Sequence, residues 1–238
     1  MTPKKILLCA TLLVLFCCVA SAQTFYGSIV GTVTDASGAL MPGALRLLAR
    51  AGVARLSADE LGRQLLVDRA GVRVILVRPA DVPAYVDHGA ADLGIVGKDI
   101  LWETPGAHYE LVDLKFGGCH MVLAVPLASK LDGAETWPPQ LRVATKYPRT
   151  ASAWFEARGQ AVEVVQLHGS VELAPQVGLV DAIVDLTATG RTLKENGLRV
   201  TATLGASTAR LIANQASLKT RTDAVQAAVA RLREAAGA

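Results

Sequence analysis

The chain has 238 residues, of which 51% are hydrophobic, so it is long enough for one large or two small domains with their own cores. A net charge of +3 and an aromatic content of 5% argue against a nucleic-acid partner, and the charge is too small to indicate an anionic membrane surface. Three of the four cysteines lie in the first 18 residues, so the rest of the chain has only Cys119 and cannot form an internal disulfide.

The N-terminus has the pattern of a secretory signal peptide over residues 1–22. A basic start precedes the apolar run Ile6–Val19, and Ala20-Ser21-Ala22 has the form of a cleavage site. A buried N-terminal helix is the alternative. Residues 23–43 contain an alternating, β-branched stretch, Ser28–Thr34, followed by a turn signal. They resemble the first hairpin of a carboxypeptidase-regulatory-like β-sandwich, but they are too short to form a domain, because a sandwich needs about seven strands.

The pattern changes at Ala44, where strands begin to alternate with helices. Ala44–Gly52 is predicted to be a helix, and Asp81 is predicted to cap a helix that ends at Gly89. Near the C-terminus, apolar residues at helical spacing predict an amphipathic helix. This alternation predicts an α/β fold with mostly parallel sheets. The remaining predicted elements are strands at 72–77, 93–96, 121–125, 141–144, 162–166 and 182–186, helices at 151–158 and after Thr192, and the apolar stripe Val225, Ala228, Val229 and Leu232.

The segment DLTATGRTL, residues 185–193, is the motif with the clearest chemistry. It follows an apolar strand and precedes a helix, so backbone N–H groups at the helix start can meet an anion. A carboxylate, hydroxyls, a glycine and a guanidinium in this order suit a ribose 5-phosphate. An ordinary helix capped by Thr189 is the alternative. The residues predicted to hold the ligand are Asp185, Thr187, Thr189, Gly190, Arg191 and Thr192.

A longer stretch, GSVELAPQVGLVDAIVDLTATGRTL at residues 169–193, resembles the signature of the ATP phosphoribosyltransferases. Glu172, Gly178 and Asp185 match that signature, while Val180 stands where a small residue is usual. Segments 77–101, 141–159 and 207–217 also resemble this family, so the likeness runs from about Ala44 towards the C-terminus.

The resemblance implies two α/β lobes around a ligand cleft, as in type II periplasmic binding proteins. Residues 44–119 and 208–238 would form lobe I, on the nucleotide side, and residues 120–207 would form lobe II, on the phosphoribosyl side. Arg78, Asp81 and Tyr85 would lie on the nucleotide side. A salt bridge at a strand end is the alternative for Arg78, and a core position is the alternative for Tyr85.

The family's reaction joins N1 of ATP to the phosphoribosyl group of phosphoribosyl pyrophosphate and releases pyrophosphate, which is the first step of histidine biosynthesis. Asp185 and Glu172 would act as positioning and electrostatic groups. The resemblance implies Mg²⁺ carried by the substrate, with no ligands from protein side chains. It also implies the short form of the enzyme, a homo-oligomer that works with a histidyl-tRNA-synthetase-like regulatory subunit. A cytoplasmic location follows from these substrates and conflicts with residues 1–22.

The sequence departs from the family at its start, since the family begins with a strand and a Lys-Gly-Arg turn that are absent here. Ile29–Thr34 is predicted to fill the vacant strand position without restoring the charge. Impaired activity is therefore expected, because each charge-assisted contact to a phosphate contributes about 1.5–3 kcal/mol. Two alternatives remain: an exported two-lobed solute-binding protein, and an inactive chimera.

Overall fold

A computed structural model describes residues 27–31, 47–48, 50–51, 67–69, 72–75, 77–131 and 137–237. The predicted signal peptide, the predicted turn after Thr34 and most of the predicted helix at 44–52 lie outside these residues. Within the described part of the chain, no helix is both long enough and apolar enough to cross a lipid bilayer.

The first sheet has six strands in the order β2-β3-β1-β4-β11-β5. β1 pairs in parallel with β3 and β4, whereas β2, β11 and β5 run antiparallel to their neighbours. The strands are β1 (Gly27–Gly31), β2 (Val67–Arg69), β3 (Val72–Ile75), β4 (Leu93–Gly97), β5 (Tyr109–Asp113) and β11 (Ala209–Ala213).

The second sheet has five strands in the order β10-β6-β9-β7-β8. β7 pairs in parallel with β8 and β9, while β6 runs antiparallel to both β9 and β10. The strands are β6 (Cys119–Pro126), β7 (Leu141–Thr145), β8 (Val162–Gln166), β9 (Ala182–Thr187) and β10 (Leu198–Ser207).

The two-lobed α/β class is confirmed, but the prediction of mostly parallel sheets is wrong: both sheets are mixed, with four parallel and five antiparallel strand pairings. Parallel neighbours occur where a helix-containing connection returns the chain to the same end of the sheet, as between β7 and β8. Antiparallel neighbours include the β2–β3 pair within the first sheet and the long β6–β10 pair, whose two strands carry the chain into and out of the second sheet. Every described strand of the second sheet lies between Cys119 and Ser207. The predicted domain boundaries stay predictions.

β1 occupies the position between β3 and β4 in the first sheet. Ile29 is in register with Val74 on one side and with Leu93 on the other. The predicted filling of the strand position is therefore confirmed for residues 29–31, and residues 32–34 lie outside the described part. The hairpin predicted for residues 23–43 stays a prediction.

Six α-helices whose bounds are described pack against these sheets. The helix predicted at 151–158 begins three residues earlier, because Pro148 is well suited to the first helical position. The C-terminal stripe is confirmed, since Val225, Val229 and Leu232 are buried. The helices are α1 (Val82–Asp87), α2 (Lys98–Glu103), α3 (Pro148–Glu156), α4 (Arg191–Glu195), α5 (Gln215–Thr220) and α6 (Thr222–Ala236).

Two hydrophobic cores lie against the second sheet and two lie against the first sheet, one of them under α6 and the other under α1. In one of the cores against the second sheet, Phe155 of α3 is fully buried and its ring meets the rings of Trp154 and Trp137 edge to face. Helix α2 follows β4 of the first sheet, yet its residues Ile100 and Trp102 pack against this second-sheet core. α2 therefore connects the two halves of the molecule.

Candidate functional site

The turn between β9 and α4 contains most of the predicted ligand-binding residues. β9 is an interior strand, and its burial decreases from Ala182 towards Thr187, so its carboxyl end opens to solvent. Gly190 has φ +73°, and a Cβ placed there would meet no atom within 4 Å. The conformation favours glycine, and the open space lets a ligand approach the backbone closely.

The alternative prediction for this turn, an ordinary helix capped by Thr189, is wrong. Gly190, not Thr189, occupies the N-cap position, and it makes no side-chain capping bond. The Gly190 N–H donates to Thr187 Oγ1 at 2.7 Å, while the Arg191 N–H reaches Thr189 Oγ1 only at 3.4 Å. The next N–H groups belong to the first turn of a helix, which leaves them without intrahelical acceptors.

Arg191 supplies the positive charge of the turn. Its Nε lies 2.8 Å from Glu195 Oε1, one helical turn along α4, and 82% of its side chain is exposed. Such an exposed pair is weak, so the guanidinium can turn towards an anion at little cost. Thr189 and Thr192 are exposed beside it.

Asp185 lies on β9, two residues before the turn, and is partly buried. Burial raises the pKa of its carboxyl, and the charge of Glu172 raises it further, whereas the N–H of Leu186 and the charge of Lys146 lower it. The Leu186 N–H donates to Asp185 Oδ1 at 2.8 Å. An ionised Asp185 is therefore held close to another carboxylate, in a place that suits a cationic ligand group.

Glu172 lies in a short 3-10 helix, Val171–Leu173, that is anchored by the buried side chain of Val171. The residue before this helix, Ser170, has φ +49°, a left-handed conformation that is unfavourable for a non-glycine residue. Strain of this kind is often found at functional sites, where the surrounding structure enforces it. Glu172 lies near enough to Asp185 for its charge to act on that carboxyl.

Lys146 and Tyr147 also lie at this site, although the sequence reasoning does not single them out. They follow β7, which is parallel to β9, so both strands deliver their carboxyl ends to the same edge of the sheet. The charge of Lys146 reaches Asp185, and the charge of Asp185 reaches the Tyr147 hydroxyl. The one available signal is position, because Lys146 comes directly after a predicted strand next to β9.

The three residues assigned to the nucleotide side lie together in the first half of the fold, between β3 and β4. Asp81 is at the N-cap position of α1 but makes no side-chain capping bond, so the predicted capping role is wrong. Tyr85 is 37% exposed, which excludes the core alternative. Arg78 is exposed and makes no ion pair with any described residue. No described contact joins these three residues to Asp185.

Among the described residues, no group of three or more His, Cys, Asp or Glu side chains is arranged to hold a metal ion. The two carboxylates at the site, Asp185 and Glu172, are the acidic groups that could face a cation carried by a ligand.

The family model for HisG, ATP phosphoribosyltransferase, matches residues 78–234. This chain belongs to the ATP phosphoribosyltransferase family. An ATP phosphoribosyltransferase of Rubrobacter xylanophilus is 53% identical over 186 residues, which cover 77% of this chain and 86% of that protein. One from Moorella thermoacetica is 45% identical over 212 residues, covering 87% and 93%. Membership makes the chain a phosphoribosyl-transferring enzyme of histidine biosynthesis.

Solved structures agree with this assignment. The ATP phosphoribosyltransferase (HisG:HisZ) complex of Thermotoga maritima has a TM-score of 0.73 and 30% identity, over 89% of this chain and 98% of that one. A mutant arginine-binding protein of T. maritima has a TM-score of 0.55 but 16% identity, over 88% and 89%. That second likeness concerns the fold alone, so a solute-binding function is not favoured.

Proposed function

We propose that this ATP phosphoribosyltransferase uses the β9–α4 turn to hold phosphoribosyl pyrophosphate and transfers its phosphoribosyl group to N1 of ATP, releasing pyrophosphate. The observation that carries this proposal is the placement of Asp185 and Glu172 beside a glycine-containing turn within a chain of this family. A transfer of this kind needs no nucleophile from the enzyme.

The 5-phosphate would lie against the turn itself. The backbone N–H groups of the first turn of α4 point towards it, and the hydroxyls of Thr189 and Thr192 add donors. Gly190 leaves room for the phosphate oxygens, and Arg191 contributes charge once it leaves Glu195. Because α4 has only five residues, these direct hydrogen bonds contribute more than the dipole of the helix.

The ribose would lie over the two carboxylates. As the bond to pyrophosphate breaks, positive charge develops on the sugar, and the negative charges of Asp185 and Glu172 stabilise it. The electrostatic repulsion between these two carboxylates in the ligand-free site is then offset by their attraction to the sugar. Lys146, at the same edge of the sheet, is placed to meet the negative charge of the substrate.

ATP would bind on the side of the first sheet, where Arg78, Asp81 and Tyr85 are exposed between β3 and β4. Tyr85 offers an aromatic face for the adenine and Arg78 offers charge for a phosphate. The enzyme's contribution is to hold N1 opposite the departing pyrophosphate.

Mg²⁺ would arrive on the substrate and neutralise the charge of the leaving pyrophosphate. The residues present fit this role, because Asp185 and Glu172 bring two carboxylates to the site that would face the ion. The protein's part is to orient the substrate so that its phosphates and its sugar meet groups of opposite charge.

The T. maritima structure is named as a HisG:HisZ complex. By analogy, this chain would form a homo-oligomer that works with a histidyl-tRNA-synthetase-like regulatory subunit. Since ATP and phosphoribosyl pyrophosphate are cytoplasmic metabolites, we place the working enzyme in the cytoplasm.

Calorimetric titration with phosphoribosyl pyrophosphate and Mg²⁺ tests the proposal. The chain should bind this ligand, and the substitution Asp185→Ala should abolish binding. Asp181→Ala is a matched control, because Asp181 precedes the same strand and instead bonds Arg142 at the far end. Binding that persists in Asp185→Ala, or binding of an amino acid in place of the phosphoribosyl ligand, would reject the proposed site.

A further inference from the structure

Helix α2 carries one carboxylate near each end, and both bond to the segment that follows β7. At its start, Asp99 Oδ2 accepts a hydrogen bond from the Tyr147 hydroxyl at 3.2 Å. At its end, Glu103 accepts hydrogen bonds from the N–H groups of Arg149 and Thr150 at 2.9 Å and 3.0 Å. The hydroxyl of Thr150 adds a third bond to Glu103 at 2.9 Å.

The Asp99 end of this arrangement is buried and fixed. Asp99 Oδ1 accepts a hydrogen bond from the Ser207 hydroxyl at 2.8 Å, and the Asp99 N–H donates to the same hydroxyl at 3.1 Å. A Cβ on Gly97 would clash with Asp99 Oδ1, so the carboxylate fits only because residue 97 is glycine. Ser207 itself is the last residue of β10, where the chain leaves the second sheet.

The Glu103 end replaces a missing cap. α3 begins at Pro148, and its N-cap residue Tyr147 provides no side-chain capping bond to it. The first-turn N–H groups of α3 instead donate to Glu103, a residue of another helix, and the negative charge of Glu103 suits the positive end of α3. Trp102 packs against the second-sheet core and against β10 at Gly205, which holds α2 in place.

We infer that α2 acts as a positioning clamp that fixes Lys146 beside Asp185, through Asp99 on Tyr147 and through Glu103 on the first turn of α3. Lys146 lies directly before the clamped residues and makes no hydrogen bond or ion pair with the described residues, so its direction depends on the backbone around it. This inference rests on the proposed function, because it assigns a use to the resulting geometry: the binding of phosphoribosyl pyrophosphate. Since α2 follows β4 of the first sheet, the clamp also ties the phosphoribosyl site to the nucleotide half.

Two substitutions test the clamp, one at each end. Tyr147→Phe removes the hydroxyl and keeps the ring, and Glu103→Ala removes the cap of α3. Each should weaken binding of phosphoribosyl pyrophosphate with Mg²⁺ by about tenfold, the size expected for losing a hydrogen bond to a charged group, while the KM for ATP stays within about twofold. Glu103→Gln keeps an oxygen acceptor for the same N–H groups and should recover most of the lost affinity.

Ser217→Ala is the matched control, because it also removes a buried hydroxyl that donates to a carboxylate, Asp92 Oδ1 at 2.7 Å, but in the other half of the molecule. Ser217→Ala should lower the thermal midpoint comparably and leave the affinity for phosphoribosyl pyrophosphate unchanged. An unchanged affinity in Tyr147→Phe and Glu103→Ala, or an equal loss in Ser217→Ala, would overturn the positioning role.

Hydrogen exchange in the ligand-free protein separates the clamp from the proposed function. The backbone N–H groups of residues 146, 147, 149 and 150 should exchange at least about tenfold faster in Tyr147→Phe and Glu103→Ala than in Ser217→Ala. If the unmodified chain fails to bind phosphoribosyl pyrophosphate but this exchange pattern appears, the proposed function fails and the clamp stands. Equal exchange in all three variants rejects the clamp itself.

Discussion

Burial and the charge of Glu172 raise the pKa of Asp185, so the folded protein binds a proton there more tightly than the unfolded chain does. Between the ordinary carboxyl pKa of 3.8 and the raised value, the stability of the fold therefore falls as the pH rises. At neutral pH the ionised carboxyl is destabilising. A residue that lowers the stability of the fold and lies at a ligand site shows the trade of stability for function that is expected of a functional group.

Asp185→Asn should therefore raise the thermal midpoint at neutral pH, because it removes the unfavourable ionised form. The gain over the unmodified chain should disappear below about pH 3.8, where Asp185 is protonated in both states. Thermal unfolding measured over a pH series checks this, with loss of phosphoribosyl pyrophosphate binding as the accompanying result. Asp181→Asn should not be stabilising, because Asp181 accepts a hydrogen bond from the Arg142 N–H at 3.0 Å. A lower midpoint in Asp185→Asn at neutral pH would contradict the argument.

Gly190→Ala separates backbone strain from ligand contact. A non-glycine residue at φ +73° costs about 1–2 kcal/mol, and no neighbouring atom adds a clash. Gly159→Ala carries the same strain at φ +69°, also with no atom within 4 Å, but in the connection between α3 and β8. Both variants should lose similar stability in denaturant unfolding, and only Gly190→Ala should weaken binding of phosphoribosyl pyrophosphate. Equal affinities in the two variants would remove Gly190 from the site.

At the scale of elements, α1 packs on β4 at very short range. A Cβ on Gly94 would lie 2.8 Å from Val86 Cγ2 and 2.9 Å from Val82 Cγ1, both on α1. Gly94→Ala should therefore push α1 from the sheet and lower the free energy of unfolding by about 1–3 kcal/mol, as measured by denaturant titration. Gly118→Ala is the control, because a Cβ there meets nothing within 4 Å and should leave stability nearly unchanged. A neutral Gly94→Ala would show that α1 packs more loosely than described.

The sequence predicts the elements whose burial produces a continuous apolar run. Five of the eight residues of β6 and the first three of β9 are buried, so a short hydrophobic stretch marks each of them. β10 is missed because most of its ten residues are only partly buried or exposed, and two register shifts interrupt its pairing with β6. β5 is missed for a similar reason, since only one of its five residues is buried. These are antiparallel strands, which is why mostly parallel sheets are expected from the sequence.

The candidate site is predictable only in part, for a reason of topology. Asp185 and the turn after it form one continuous motif, so their proximity follows from chain order. Lys146 and Tyr147 reach the same place through the pairing of β7 with β9, about 40 residues apart in sequence. The clamp is even harder to predict from the sequence, because Asp99 and Glu103 belong to a helix that follows a strand of the other sheet. Nothing in the local pattern of KDILWE indicates these partners.

At the scale of the whole molecule, β1 fills a strand position in the first sheet but does not bring the expected basic side chains with it. It pairs with β3 and β4 as a parallel strand should, so the backbone ladder of that sheet is continuous. Residues 23–43 contain no Lys or Arg, whereas the family resemblance implies a first strand that leads into a Lys-Gly-Arg turn. The strand position therefore has a substitute, while the basic groups that would meet substrate phosphates have none in this stretch.

Insertion of a Lys-Gly-Arg turn before Ala44 should therefore raise activity. Each restored charge-assisted contact to a phosphate contributes about 1.5–3 kcal/mol, which corresponds to a gain of at least about tenfold in kcat/KM. The measurement is initial-rate kinetics with ATP and phosphoribosyl pyrophosphate varied in turn. An Ala-Gly-Ala insertion at the same point controls for the added length, and it should give no gain. If both insertions leave kcat/KM unchanged, the missing charges do not limit this enzyme. If both raise it equally, the length of the connection after β1 limits it instead, since the two insertions share length and glycine but differ in charge.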